Sequence, residues 1–89
     1  MRAVITVVGK DTVGILAKVS NLCAEKNINI LDVTQTVMQD LFCMIMLCEI
    51  TDMNCDFAEL SNAANAIGKE NNLSVHVMHE DIFNSMHRI

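Results

Sequence analysis

Residues 7–33 read VVGKDTVGILAKVSNLCAEKNINILDV, and their changes of hydrophobic period decide the fold. The apolar run ending here, RAVITVV at 2–8, is rich in β-branched residues and stops at Gly9. It predicts a strand apolar on nearly every position and therefore central in its sheet. From residue 13 the period changes. Ile15, Leu16, Val19, Leu22 and Cys23 recur at helical spacing, with Lys18, Asn21, Glu25 and Lys26 opposite them, so 13–26 reads as a helix. Asp11 or Thr12 is a suitable N-cap, and Asn27, which tolerates a left-handed backbone, ends the helix. Ile28 and Ile30 then open a period-two pattern that moves to Leu31, Val33 and Val37. A one-residue shift in such a pattern predicts a second strand over 28–39 with a bulge near Leu31–Asp32.

Beyond this unit, Gln39–Asp40 reads as a tight turn and LFCMIMLCEI (41–50) as a third strand, apolar on both faces. After a loop at 51–55, Asp56 and Glu59 are spaced as a capping box. The helix they open buries Phe57, Leu60, Ala63, Ala64 and Ile67, and Gly68 weakens its last turn, so it ends near 69–72. LSVHVM (73–78) alternates as a half-exposed fourth strand, and Ile82, Phe83, Met86 and Ile89 share one face of a short closing helix.

The order βαββαβ with right-handed crossovers gives an α+β, ferredoxin-like sandwich. It has an antiparallel sheet of order 4-1-3-2, two helices on one face and a short C-terminal helix. One domain, 1–89, is expected, with a core at 1–79 and the closing helix at 80–89. The helix-free face, around Met44 or Cys43, is expected to be apolar, which predicts association, most simply as a twofold dimer.

Composition narrows the function. The chain has 89 residues, 52% hydrophobic and 19% charged, with formal net charge −5, no Trp and no Tyr. An acidic balance and the lack of aromatic stacking platforms argue against direct nucleic-acid binding. The longest apolar stretch falls far short of the roughly 20 residues that cross a membrane. No signal-peptide pattern opens the chain, so a cytoplasmic location with reduced cysteines is expected.

No residue set assembles a catalytic or metal centre. His76 and His79 lack a third ligand at fixed spacing, and His87 reads as another surface histidine. Cys43 and Cys48, five apart in a strand, face opposite sides. Cys55 is the most accessible thiol by position, without an activating base in view. Asp40 and Asp52 sit at opposite ends of one strand and cannot act as a pair. Met44 and Met46 share a strand face and suggest an adaptable interface.

The GKDTVGIL loop (9–16) remains. A helix N-terminus presents unpaired N–H groups suited to a small carboxylate, with Gly14 opening the backbone to a ligand and Asp11 able to accept from an ammonium group. Equally, Asp11 and Thr12 are helix caps, and Gly14 relieves crowding against the sheet.

The quoted stretch also resembles the opening βαβ unit of ACT domains. That signature is a strand, then D-x-x-G-[IVL]-[LV] at the helix start (Asp11, Gly14, Ile15, Leu16), then N-I (Asn29, Ile30) opening strand 2. The element order extends the likeness over residues 1–79. The tail EDIFNSMHRI is similar to the extra helix of small stand-alone ACT proteins related to the glycine-cleavage repressor group. The resemblance implies a non-catalytic regulatory module without cofactor, acting as a homodimer. Its effector, typically an amino acid, would sit between one copy's first loop and the partner's strand 2. Carried over by position, the implied ligand-binding set is Gly9, Lys10, Asp11, Thr12, Val13, Gly14, Ile15, Asn29 and Ile30. Gly9 stands where some serine-binding members carry a histidine, and Asp11 replaces an asparagine, so the resemblance does not specify the ligand.

Two other functions compete. One is a ligand-free interaction module, docking on a metabolic enzyme or transcriptional regulator through its edge strand or apolar sheet face. The other is an acylphosphatase-like hydrolase, which needs an arginine in the first loop. The only arginines are Arg2 and Arg88, and neither lies there.

Overall fold

The structure, a computed structural model, describes residues 1–10 and 14–86, Met86 by its backbone alone. β1 (Arg2–Gly9) is hydrogen-bonded along both edges, as its unbroken apolar run requires. On one side it pairs antiparallel with β3 (Leu41–Glu49), from Arg2 opposite Glu49 to Gly9 opposite Phe42. On the other it pairs with β4 (Ser74–His79), from Ala3 opposite His79 to Val8 opposite Ser74. β2 (Asn29–Met38) takes the outer edge of β3. The sheet order β2-β3-β1-β4 is the expected 4-1-3-2 read from the other side.

The α-helices α1 (Ile15–Glu25) and α2 (Phe57–Asn71) cover one face. Ala3, Ile5 and Val7 of β1 and Phe42, Met44, Met46 and Cys48 of β3 are buried there. They belong to one cluster with Ile15, Val19, Leu22 and Cys23 of α1 and Leu60 and Ala64 of α2. Each large side chain fully removed from water contributes about 1.5–3 kcal/mol. Met44 and Met46 are core filler in this cluster, so the interface reading for them fails. Their strand's alternation turns them inward, and Cys43 and Ile45 outward.

Both helix ends on the sheet side are built by asparagine. Asn27 (φ 58°) follows α1, with its N–H bonded to the Ala24 carbonyl (3.2 Å) and the Ile28 N–H to the Cys23 carbonyl (2.8 Å). This is a Schellman closure with Asn in the usual glycine position. Asn72 (φ 56°) closes α2 with the same left-handed backbone, its own N–H and the Leu73 N–H (2.8 Å) both reaching the Gly68 carbonyl. At the start of α2, Asp56 accepts the Glu59 N–H at 2.8 Å, the forward half of the expected capping box.

α1 starts two residues later than its periodicity suggests. Its N-cap is Gly14, left-handed at φ 75°, ψ 2°, without a side-chain cap. The expected caps Asp11 and Thr12, and Val13 as the first helical residue, lie outside the described residues. Leu16 is 40% exposed rather than part of the buried stripe, which runs through Ile15, Val19, Leu22 and Cys23. The bulge falls where the pattern shift placed it. Ile30 is opposite Cys48 and Asp32 opposite Leu47, leaving Leu31 without a cross-strand partner.

The face expected to be free of helices is not wholly so. Val4 points away from the main core yet is only 2% exposed. α3 (Glu80–Met86) lies over it, and a groove of ≈ 220 Å³ is lined by Val4, Ile45 and Leu47 from the sheet and Glu80, Phe83 and Asn84 from the helix. Arg2 fastens the start of α3 through two contacts to Glu80, Nε–Oε1 at 3.0 Å and Nη2–Oε2 at 2.7 Å. Phe83 is half-buried, but Ile82, expected on the same inner face, is exposed. The Met86 side chain and Ile89 lie outside the described residues.

Candidate ligand site

The two halves of the expected site lie at opposite ends of the sheet. Gly9 closes β1 opposite Phe42, and Phe42 is opposite Val37 near the end of β2. Asn29 opens β2 opposite Glu49, which is opposite Arg2 at the start of β1. Seven residue steps therefore separate the two ends, roughly 23 Å along the strands. No small ligand touches both halves of one chain.

At the loop end, Lys10 is exposed and pairs with Asp40 at 3.5 Å, tying the end of β1 to the β2–β3 turn. Gly14 adopts a conformation few L-residues accept, and nothing lies within 4 Å of where a Cβ would project. The crowding reading for Gly14 therefore fails. The glycine is there for its backbone angle, and the space beside it is open. The carbonyl of Gly14 accepts the Lys18 N–H at 3.0 Å, so α1 begins its ladder here. The N–H groups of its first turn have no intrahelical acceptor, and that turn itself holds no acidic residue, which leaves a partial positive charge at this end of α1. The Ile15 side chain points into the core, so that residue can offer a ligand only its backbone.

At the other end, Asn29 is exposed and Ile30 is packed against the core. Asn29 borders a depression of ≈ 250 Å³ with Ala24, Asn27, Ile28, Glu49 and Asp52. The end is acidic, and its central carboxylate is well anchored. Glu49 accepts from the Thr51 hydroxyl at 2.6 Å and from the N-terminal ammonium at 2.9 Å. The Thr51 bond chiefly, then the ammonium, holds Glu49 down to about 2. Sequence reasoning missed a larger groove at this end, ≈ 910 Å³, whose walls include Arg2, Leu31, Glu49, Glu80 and Ile82. It exists because α3 turns back under the sheet, which no local pattern announces.

The residues weighed for other chemistry are dispersed. His76 faces outward and bonds Ser74 (3.1 Å), whereas His79 faces the helices and stacks on Phe57 with ring centroids 4.3 Å apart and planes 14° apart. The two histidines are on opposite faces of β4; His87 lies outside the described residues. Cys23 and Cys48 meet in the core between α1 and β3. The hydrogen bond to Cys23, then burial, pushes the Cys48 thiol far up, so it stays protonated and inert.

A sequence profile of the ACT domain matches residues 2–78. The chain belongs to the ACT-domain family. Its ACT fold recurs in the solved ACT domain protein from Streptococcus pneumoniae, 40% identical, with TM-score 0.81 and 98% of each chain covered. A UPF0237 protein of Listeria innocua is 48% identical over 89 residues, the full length of both chains. A solved chain assigned as a glycine cleavage system transcriptional repressor is 25% identical at TM-score 0.72, covering 85% of this ACT domain and 43% of that chain. The stand-alone ACT reading thus holds, including the likeness to the repressor group. Among the described residues no helix is long and apolar enough to cross a membrane.

Proposed function

We propose that this ACT domain is a non-catalytic regulatory module of the cytoplasm that acts as a homodimer. It binds a small amino acid between Gly9–Ile15 of one copy and Asn29–Ile30 of the other. The observation that carries this reading is the separation of the two halves: a site containing both needs two chains. The chemistry of the ends supports the polarity. The N-terminal end of α1 and Lys10 suit the ligand carboxylate, and the amide of Asn29 on an acidic end suits its ammonium group. Through ligand-dependent dimer geometry the module would govern an enzyme or a transcriptional regulator, as the likeness to a repressor suggests.

A thermal-shift panel of the twenty amino acids, beside a molecular-mass measurement, tests this. One amino acid, at a hundredfold excess over its dissociation constant, stabilises the dimer by about 2.7 kcal/mol. Asn29→Ala, an exposed position, removes that response while leaving the unliganded melting temperature nearly unchanged. If no amino acid shifts the melting temperature and a partner protein co-purifies at stoichiometric ratio, the ligand reading is wrong and docking without ligand replaces it.

A further inference from the structure

We infer that the groove between α2 and the outer edge of β4 receives an extended, acidic segment of a partner protein, which adds to the four-stranded sheet as a further strand. This names the surface through which the module reaches the protein it governs, and it rests on the regulatory reading above. β4 ends the sheet on the side away from β2. Its pairing with β1 runs without a register shift, and it carries no proline or lysine. Its outward main-chain N–H and C=O groups are therefore open to another strand. Strand addition draws affinity from main-chain hydrogen bonds and specificity from the side chains that flank them.

The flanking side chains select the occupant. Asn62, Asn65, Ala66 and Lys69 recur at helical spacing on α2 and form one wall of the groove, ≈ 410 Å³, with residues 73–76 as the other. Lys69 and His76 are the titratable groups that line it, and no carboxylate does, on a chain of formal net charge −5. Among the described residues the side chains of Asn62, Asn65 and Lys69 hold no hydrogen-bond or ion-pair partner. An ammonium beside two amides offers donors to a carboxylate and nothing to a basic side chain. None of the exposed large apolar side chains among the described residues lies on α2 or β4. A permanent homodimer interface is built round an apolar core, so this polar edge suits a separable partner and not a second copy.

The groove also adjoins the ligand loop. Leu73, which lines it, fills the space where a Cβ on Gly9 would project, and Gly9 closes β1 just before that loop. A segment seated on β4 therefore lies beside the loop half of the amino-acid site.

The test uses the full chain and a capped heptapeptide in which valines and a central glutamate alternate with threonines, so that the apolar and acidic side chains share one face. At millimolar concentration the peptide is expected to shift the main-chain amide NMR signals of residues 74–79 and the side-chain amides of Asn62 and Asn65. Lysine in place of the glutamate should weaken binding at least about threefold, and Lys69→Glu should invert that preference. Lys69 is exposed, so the circular dichroism of this variant should match the parent's. N-methylation of the glutamate and of the threonine after it removes one N–H on each edge of the peptide and should abolish binding. Shifts confined to β2 or the open sheet face, equal binding of the two charged peptides, undiminished binding of the methylated one, or no binding at all overturns the proposal. Protection of residues 74–79 from hydrogen exchange in the peptide-free protein, lost on dilution, puts a second copy on this edge and also overturns it. Peptide binding without any amino-acid response supports the docking surface and removes only the ligand. An amino-acid response without peptide binding removes only the docking surface.

Discussion

The main-chain carbonyl of Leu73 stands where a side chain on Gly68 would have to go: a Cβ there would lie 2.7 Å from that oxygen and 3.2 Å from Val75 Cγ2. α2 is thus seated on the start of β4 with no room for a methyl group. The same carbonyl-rich corner closes the helix, because the Leu73 N–H bonds the Gly68 carbonyl. Glycine in a helix interior costs about 1 kcal/mol in propensity relative to alanine, so close packing must outweigh that cost here.

Gly68→Ala is therefore expected to destabilise, by about 1–3 kcal/mol, despite its better helix propensity. Urea unfolding followed by circular dichroism measures this. A stabilised variant would mean that α2 and β4 can separate freely and that the packing argument is wrong.

Gly14 predicts the contrasting case. Its Cβ position is open and its φ is +75°, so Gly14→Ala meets strain and no collision. The left-handed backbone costs an L-residue roughly 1–2 kcal/mol, and Asn, which visits that region readily, should cost less. The expected stability order is Gly14, then Asn, then Ala. Equal losses for Asn and Ala would show that something other than the backbone angle selects glycine.

The difference between these glycines marks how far the sequence could be read. Both were visible as punctuation, and the changes of period or phase around Gly9, Asn27 and Leu31 placed the elements and the bulge. Those signals are local, since they come from one residue's backbone preference or one strand's alternation. Whether a glycine serves an angle or a contact depends on what packs against it, and the return of the chain from α2 into β4, which brings the Leu73 carbonyl and Val75 onto Gly68, is not announced by α2's apolar stripe. Leu16 failed for the same reason. Helical spacing put it beside Ile15, but the apolar stripe is wider than the area the sheet covers. The covering of Val4 by α3 was invisible because it joins the two ends of the fold, where Arg2 meets Glu80 from 78 residues away. For the site, the two motifs could be read from sequence, but their placement at opposite ends of the sheet depends on strand pairing.

Thiol reactivity should divide the four free cysteines into two pairs. Cys23 and Cys48 are buried against each other, and the Cys48 thiol is held protonated by its bond to Cys23 and by burial. Cys43 and Cys55 are half-buried. With iodoacetamide at neutral pH and mass mapping, Cys43 and Cys55 are expected to label in the native protein. Cys23 and Cys48 should label only at the rate of unfolding. Rapid native labelling of Cys48 would contradict the packing between α1 and β3.

The last prediction concerns acid. Glu49 sits at about 2 in the folded protein, below the usual carboxylate value of 4.5, first because the Thr51 hydroxyl donates to it and then because of the N-terminal ammonium. A group with a depressed folded value binds its proton more readily when unfolded, so its stabilisation is complete above pH ~4.5 and is lost as the pH falls towards ~2. The wild type should therefore lose stability across this window more steeply than Glu49→Gln, which has no carboxyl to protonate there. Thr51→Ala should also flatten the slope, since it removes the larger cause. Added salt should weaken the ammonium contribution at this exposed site more than the hydroxyl bond. Melting temperatures from pH 6 to pH 2 for the three proteins decide it, and parallel curves would show that Glu49 carries no linkage to folding.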